Sequence, residues 1–405
     1  MRKKILSFLL CAALLASIPG LMHASAADAN ELRFASDGAF KILQIADLQD
    51  GNPLDIRVRR FIQAMLETEK PDLVVLTGDN IQGAITGIGS ITQERKDAAT
   101  KEAIAQFMDI IARSKIPVAV VFGNHDTEGS VYIGRSTGKA AQLAMYQAYP
   151  NCLMIKQDPT YTNQNLSGVG NYNLPILSKD GSSKAAYNLW FFDAFDSGSS
   201  KPYDGVHDDV LDWYTWKSNQ LKEANGGAWL PAISFQHIVV PEVETAMTAS
   251  GLKVDTSVPG DTDNYIWEDP CPNYANDNQF AKMKDRDVKA MIFGHDHDNH
   301  FRIPYQGVDL ICTAGACFGD RGLQILLSYN RAHDAMARLI TLHEDEPGNI
   351  ESKTLRYSVY KDAGLIRELP GEGVGEFGMI EQILTNVMAV LLSAVDKLLI
   401  ALWIV

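Results

Sequence analysis

The sequence predicts an α/β layered fold, and three observations predict it. Five short apolar runs, at 40–47, 72–79, 117–124, 229–237 and 288–295, each end in a polar or acidic residue, usually beside glycine. Helical patterns at 57–69 and 93–114 separate the first three, the second with Phe107, Ile110 and Ile111 at helical spacing. More strand-like runs follow residue 300.

Each element has a physical reason. A strand buried on both faces reads as an unbroken apolar run and turns polar where it emerges at a sheet edge. Strands alternating with helices pack as layers. In such folds ligands bind in the crevice beyond the carboxyl ends of the strands. That places Asp47, Asp79, Asn124, His237 and His295 along one rim. Residues 150–228 mix turn-rich loops with a strand-like stretch at 185–194 and a helix-like one at 208–224. The runs VDLICTAGA (308–316), LQILLSY (323–329) and MARLITLHE (336–344) add strands, and two sheets packed face to face accommodate all of them.

The two ends of the chain read differently. Residues 1–26 combine a basic start, Arg2-Lys3-Lys4, with an apolar stretch and Ala24-Ser25-Ala26, the pattern of a cleaved export signal. Pro19-Gly20 interrupts the apolar run before it is long enough to span a bilayer. An exported domain is therefore expected over 27–370, outside the cytoplasm or at the cell surface. A glycine-rich hinge, GEGVGEFG at 371–378, precedes an apolar helical pattern at 379–405 with a narrow polar stripe. Such a helix must cover its apolar face with lipid, with the domain or with a second subunit. Asp396-Lys397 disfavours a full span.

Charge excludes one class of partner. The chain carries 36 basic and 50 acidic residues, a net charge of −14, and loss of residues 1–26 leaves 33 against 50, or −17. Nucleic acid is not expected, because a phosphate backbone requires a basic footprint. After that cleavage Cys152, Cys271, Cys312 and Cys317 remain, an even number that permits two disulfides or four buried thiols. No Cys-x-x-Cys pair points to thiolate zinc.

The rim residues have the composition of a dinuclear metal centre for phosphoryl hydrolysis, which needs a bridging carboxylate, further nitrogen and oxygen ligands, and an acid for the leaving group. Asp47 lies in IADLQDG, Asp79 in LTGDN, Asn124 and His125 in FGNHD, His237 in FQHIVVPE, and His295 and His297 in FGHDHDN. In that order the motifs resemble the calcineurin-like metallophosphoesterase superfamily. GNYNLPI (170–176), HIVVPE (237–242) and GHDHDN (294–299) further resemble its purple-acid-phosphatase-like branch.

The resemblance covers residues 40 to about 330 and implies a four-layer α/β/β/α sandwich with two packed mixed sheets. It implies two metal ions, iron, manganese or zinc. Asp47, Asp79 and His297 match the first site, and Asp79, Asn124, His237 and His295 the second, with Asp79 bridging. His125 matches a histidine that faces the phosphate, with Asp126 expected on its other ring nitrogen. Asn124, His125 and Asn171 are the expected substrate contacts. The implied activity is hydrolysis of small phosphate monoesters, or of another phosphorylated substrate, by a metal-bridging hydroxide. A phosphodiesterase on the same site and a non-catalytic phosphate- or partner-binding module are the alternatives. One departure stands out: Gln49 occupies a position where most of the superfamily has a histidine. The tyrosine ligand of purple acid phosphatases is also missing, with Gln82 in its place. Gln49 offers only a neutral amide oxygen as a ligand.

Overall fold

The structure is a computed structural model that describes residues 30–49, 53–129, 134–195, 203–258, 262, 264–273, 278–318 and 334–369. The export signal, the hinge at 371–378, the helical pattern at 379–405 and the run LQILLSY lie outside the described residues. Among the described residues no helix is long and apolar enough to cross a membrane.

The expected strands and helices form within a few residues of their sequence bounds. β1 (Ala39–Ile45), β2 (Leu73–Thr77) and β3 (Val118–Val121) are followed by α1 (Ile56–Glu69), α2 (Gln93–Ser114) and α3 (Lys139–Gln147) in turn. The Asp55 carboxylate accepts the Arg57 N–H at the start of α1, and Thr92 accepts the Arg95 N–H at the start of α2. Both satisfy amides that the first helical turn leaves without partners. β4 (Tyr172–Leu177), β5 (Ala185–Phe191), α4 (Asp208–Ala224), β6 (Ala232–Phe235), α5 (Glu242–Ser250), β7 (Tyr265–Ile266), α6 (Asn278–Lys284) and β8 (Val288–Phe293) come next. β9 (Asn299–Tyr305), β10 (Val308–Cys312), β11 (Met336–His343), β12 (Ile350–Arg356) and α7 (Tyr357–Asp362) complete the order.

These strands make two mixed sheets. One runs β12-β11-β1-β2-β3 and the other β4-β5-β6-β8-β10-β9-β7. β1, β2 and β3 are mutually parallel, as are β5, β6, β8 and β10, whereas the flanking strands pair antiparallel.

The alternation of side chains along the second sheet shows how the layers stack. Leu189, Phe191, Ile233, Phe235, Ile292 and Ile311 join one core with Ile42, Val74, Val120 and the buried faces of α1 and α2. Trp190, Ala232, Met291, Phe293 and Leu310, on the opposite face, join a second core with α4, α5 and α6. A period of two along each strand thus feeds the inter-sheet core on one side and the outer helical layer on the other. The result is the α/β/β/α sandwich.

Cys152, Cys271, Cys312 and Cys317 do not pair with one another in disulfides, and the alternative of four buried thiols holds only in part. Cys312 and Cys317 are buried and Cys271 is exposed.

Candidate metal centre

Parallel strands deliver their carboxyl ends to the same edge, and the candidate residues follow those ends closely. Asp47 lies two residues beyond β1, Asp79 two beyond β2, Asn124 three beyond β3, His237 two beyond β6 and His295 two beyond β8. Three come from one sheet and two from the other, so the site straddles the seam between the layers.

The backbone turns sharply at these points. Asp47, Asp79 and His295 have positive φ, at 52°, 47° and 75°. Left-handed backbone is unfavourable for residues with a Cβ and persists where the surroundings over-determine it, which is common at functional sites. Packing around the ligands is equally tight. A Cβ on Gly78, itself at φ 90°, would lie 2.5 Å from His237 Nδ1, and one on Gly123 would lie 2.2 Å from Asp79 Oδ1. These contacts explain the glycine in the Gly-Asp and Gly-Asn-His-Asp motifs.

The side chains converge. Ligand atoms of Asp79, His237 and His295 lie within 4.8 Å of one another, and so do those of Asp47, Asp79 and His297. Asp79 belongs to both groups. Its Oδ1 accepts the His125 backbone N–H at 2.7 Å, while its Oδ2 lies 3.1 Å from His237 Nε2. Asp47 Oδ1 lies 3.4 Å from His297 Nε2, and the Asp47 carboxylate accepts the His295 N–H. His237 Nδ1 stands 2.9 Å from the Thr77 carbonyl, and donation to it turns the other ring nitrogen toward the acids.

A donor set with nothing to bind is costly when buried. Asp79 Oδ2, Asn124 Oδ1, His237 Nε2 and both ring nitrogens of His295 are buried without a hydrogen bond, as is Gln49 Oε1. Carboxylate, amide oxygen and imidazole are the donors that hold first-row divalent and trivalent cations. The residues therefore fit two cations sharing Asp79. The protein groups also compensate one another. Burial lowers His237, but the Asp79 and Asp47 charges outweigh it and push that imidazole up to about 9. Burial likewise raises Asp79, yet His237 and His125 hold it well below the usual carboxylate range. For His295, burial and the neighbouring His237 both push the imidazole well down, so the ring is neutral and one of its nitrogens keeps a lone pair for a cation.

Two expected roles are corrected. Asp126 does not hold the His125 ring. Its carboxylate accepts the backbone N–H groups of Asn80, Ile81 and Gly123 at 2.9, 3.1 and 2.7 Å, bracing the loop after β2 against the loop after β3. Burial and the Asp79 charge push it up to about 7 against those bonds. His125 Nδ1 instead lies 2.8 Å from Glu128 Oε2, close enough for an ion pair although not aligned as a hydrogen bond. Asn171 is fully buried, donating to the Ser167 carbonyl and accepting from the Asp193 N–H, so it fixes its own loop and does not reach substrate.

Gln49 does join the site. Its amide nitrogen is 2.7 Å from His297 Nε2 and its backbone N–H bonds to the Asp79 carbonyl. A cation bound by His297 has to displace that amide, which can then offer Oε1.

Sequence reasoning missed Glu128 and Lys96. Glu128 sits three residues after His125, within reach of a turn, and that spacing could have flagged it. Lys96 gives no such sign. Its buried ammonium donates to the carbonyls of Gly83 (2.6 Å) and Thr86 (2.5 Å), and the Gly83 N–H in turn donates to the His125 carbonyl.

A family model described as calcineurin-like phosphoesterase matches residues 40–299, which contain every group named above. The chain belongs to this family. Among curated relatives of this phosphoesterase, "Probable inactive purple acid phosphatase 14" of Arabidopsis thaliana is 28% identical over 79% of the chain and 82% of its own length. "Probable inactive purple acid phosphatase 29" of the same plant is 29% identical over 71% of the chain and 74% of its own length. "Phosphatase DCR2" of Saccharomyces cerevisiae is 29% identical over 67% of the chain, matching 46% of the yeast protein. These similarities put the chain in the purple-acid-phosphatase-like branch.

Proposed function

We propose that this phosphoesterase is an exported, dinuclear metal-dependent phosphatase acting on phosphate monoesters. The observation that carries the reading is the pair of ligand groups sharing Asp79, with their free donor atoms buried and facing one another. Asp47, Asp79 and His297, with the Gln49 side-chain amide against His297, would hold one cation. Asp79, Asn124, His237 and His295 would hold the other. When bound, two such cations clamp the phosphoryl oxygens and make a water acidic enough to ionise near neutral pH.

The remaining work falls to the chain's own groups. His125 is partly exposed and lines the cavity beside the ligands, with Nε2 3.9 Å from Asp79 Oδ2. Burial lowers its imidazole, but the charges of Asp79 and Glu128 prevail and raise it. A histidine that keeps a proton on Nε2 near neutral pH can donate it to the departing ester oxygen. Glu128 orients that ring, and Asp126 sets the loop that carries it.

Export is supported by the pattern of residues 1–26, and the apolar stretch 379–405 supports attachment to a membrane or to a second copy. Iron, manganese and zinc all suit the ligand set. A second reading, phosphate binding without turnover, is favoured by Gln49 at the first site and by the label "inactive" on three relatives.

The test combines metal content with hydrolysis of nitrophenyl phosphate and its bis-ester, under manganese, iron, zinc and cobalt in turn. The monoester reading expects two metals per chain and preference for the mono-ester. Faster bis-ester cleavage would make the site a phosphodiesterase, and two bound metals with no turnover of either ester would establish the binding module.

A further inference from the structure

Lys96 is a buried cation that the metal centre does not use. It stands in the first turn of α2, 1% exposed, and its ammonium donates to the carbonyls of Gly83 at 2.6 Å and Thr86 at 2.5 Å. Burial pushes that ammonium down, with the Asp97 charge opposing the shift. Burying an ammonium against neutral acceptors costs stability. A methionine would fill the space without that cost, so what the ammonium contributes is its grip on the two carbonyls.

What it grips is the loop that follows Asp79, and that loop abuts His125. The Gly83 N–H donates to the His125 carbonyl at 2.9 Å, and a Cβ on Gly83 would lie 2.6 Å from that carbonyl oxygen and 2.8 Å from Glu128 N. At its other backbone end His125 donates its N–H to Asp79 Oδ1 at 2.7 Å. A second arm runs from α2 to the same turn. Asp97 Oδ1 accepts the Thr137 hydroxyl at 2.8 Å, and Gln142 Nε2 donates to the carbonyls of Thr137 at 2.8 Å and Asp126 at 2.6 Å. The backbone of His125 is thus fixed at its amide and at its carbonyl, and the ring is left only its own side-chain torsions with which to meet Glu128.

We propose that Lys96 is a positioning residue for the leaving-group proton: through Gly83 it sets the backbone of His125, and so the direction of the His125 Nε2. The inference rests on the phosphoesterase reading above. During hydrolysis a water oxygen joins phosphorus, the ester P–O bond breaks, and the His125 Nε2 proton passes to the departing oxygen. An alkoxide is a strong base and needs that proton as it leaves, whereas nitrophenolate is a weak base and leaves without it. A displaced His125 therefore slows alkyl esters and spares the nitrophenyl ester. A general loosening of the fold or of the metal centre slows both alike.

The test uses the full-length, manganese-loaded protein with glycerol phosphate and nitrophenyl phosphate. Lys96→Met should lower kcat for glycerol phosphate by about 10- to 100-fold with KM little changed, lower that for nitrophenyl phosphate by less than about threefold, and keep both metals. Gly83→Ala presses on the same carbonyl from the other end of the link and should give the same pattern, which guards against a folding defect in either variant alone. In the His125→Ala background Lys96→Met should cost nothing further, because the ring it positions is gone. Metal loss, equal losses on the two esters, or losses that multiply in the double variant overturn the proposal. Amide exchange reads the same link without turnover: the Gly83 N–H, bonded to the His125 carbonyl, should exchange faster in Lys96→Met. If the wild type turns over neither ester, the catalytic reading falls, and unchanged exchange at Gly83 still overturns the placement of His125 by Lys96.

Discussion

Gly123→Ala is the sharpest probe of the metal centre, because it perturbs the bridging ligand without touching any ligand's chemistry. The added Cβ would lie 2.2 Å from Asp79 Oδ1, 2.4 Å from Asp79 N and 2.8 Å from Asp79 Cγ. Ordinary contact begins at about 3.4 Å, so either the Asp79 carboxylate or the loop after β3 has to move by roughly 1 Å. Two of the three close atoms are carboxylate atoms of a fully buried residue, and the third is backbone held where φ is 47°. Neither yields easily. Overpacking of this kind costs about 1–3 kcal/mol of stability, and a shift of about 1 Å at a reacting site costs on the order of 10²-fold in rate. Since Asp79 serves both ligand groups, the two cations should weaken together. The assay is metal content after dialysis against graded chelator, alongside thermal unfolding and nitrophenyl phosphate hydrolysis. Gly348→Ala is the control, because its Cβ would meet nothing within 4 Å. Were Gly123→Ala to retain two metals at wild-type affinity, Asp79 could not be the shared ligand as placed, and the assignment of the bridge would be wrong.

The other predictions are more direct. Asp79→Ala should remove both metals, whereas His125→Ala should keep them and lower turnover by about 10²–10⁴-fold; equal metal loss in the two variants would reject the separate roles. Gln49→His should tighten the first cation by about tenfold, since imidazole replaces a neutral amide that lies against His297; a chelator titration reads it, and unchanged affinity would exclude Gln49 from the ligand sphere. Burial, opposed by the Asp97 charge, pushes the Lys96 ammonium from 10.5 down to about 8. Between those values the unfolded chain binds more protons than the folded one, so stability should rise with pH across that window and be lowest and flat below it. Lys96→Met should remove the slope in urea unfolding, and a slope that survives would show that the ammonium is not the group responsible. Thiol titration of the native protein should label Cys271 rapidly, while Cys152, Cys312 and Cys317 react only after unfolding. The first of these is exposed, and burial pushes the Cys152 thiol up to about 11.

Much of this molecule is legible in its sequence for a local reason. A strand buried on both faces must be apolar throughout and can turn polar only where it ends, so five strand ends and the polar groups on them are visible without coordinates. Helices α1 and α2 are equally visible, because their buried residues recur at the helical period. Those patterns report burial and periodicity along the chain, and they stop there. Which sheet each strand joins, and that the site sits on the seam between sheets, depends on pairings such as β1 with β11, some 300 residues apart. The same is true of His125, whose ring partner is Glu128 while Asp126 braces the loop beneath it, since only the turn geometry decides which carboxylate the imidazole meets. Asn171 looked like a cleft residue from its motif, yet packing closed the backbone around its amide. Tyr203 and Glu268 carry no such signal, and they line the same cavity as Asp296 of the GHDHDN motif only because the fold brings separate loops together.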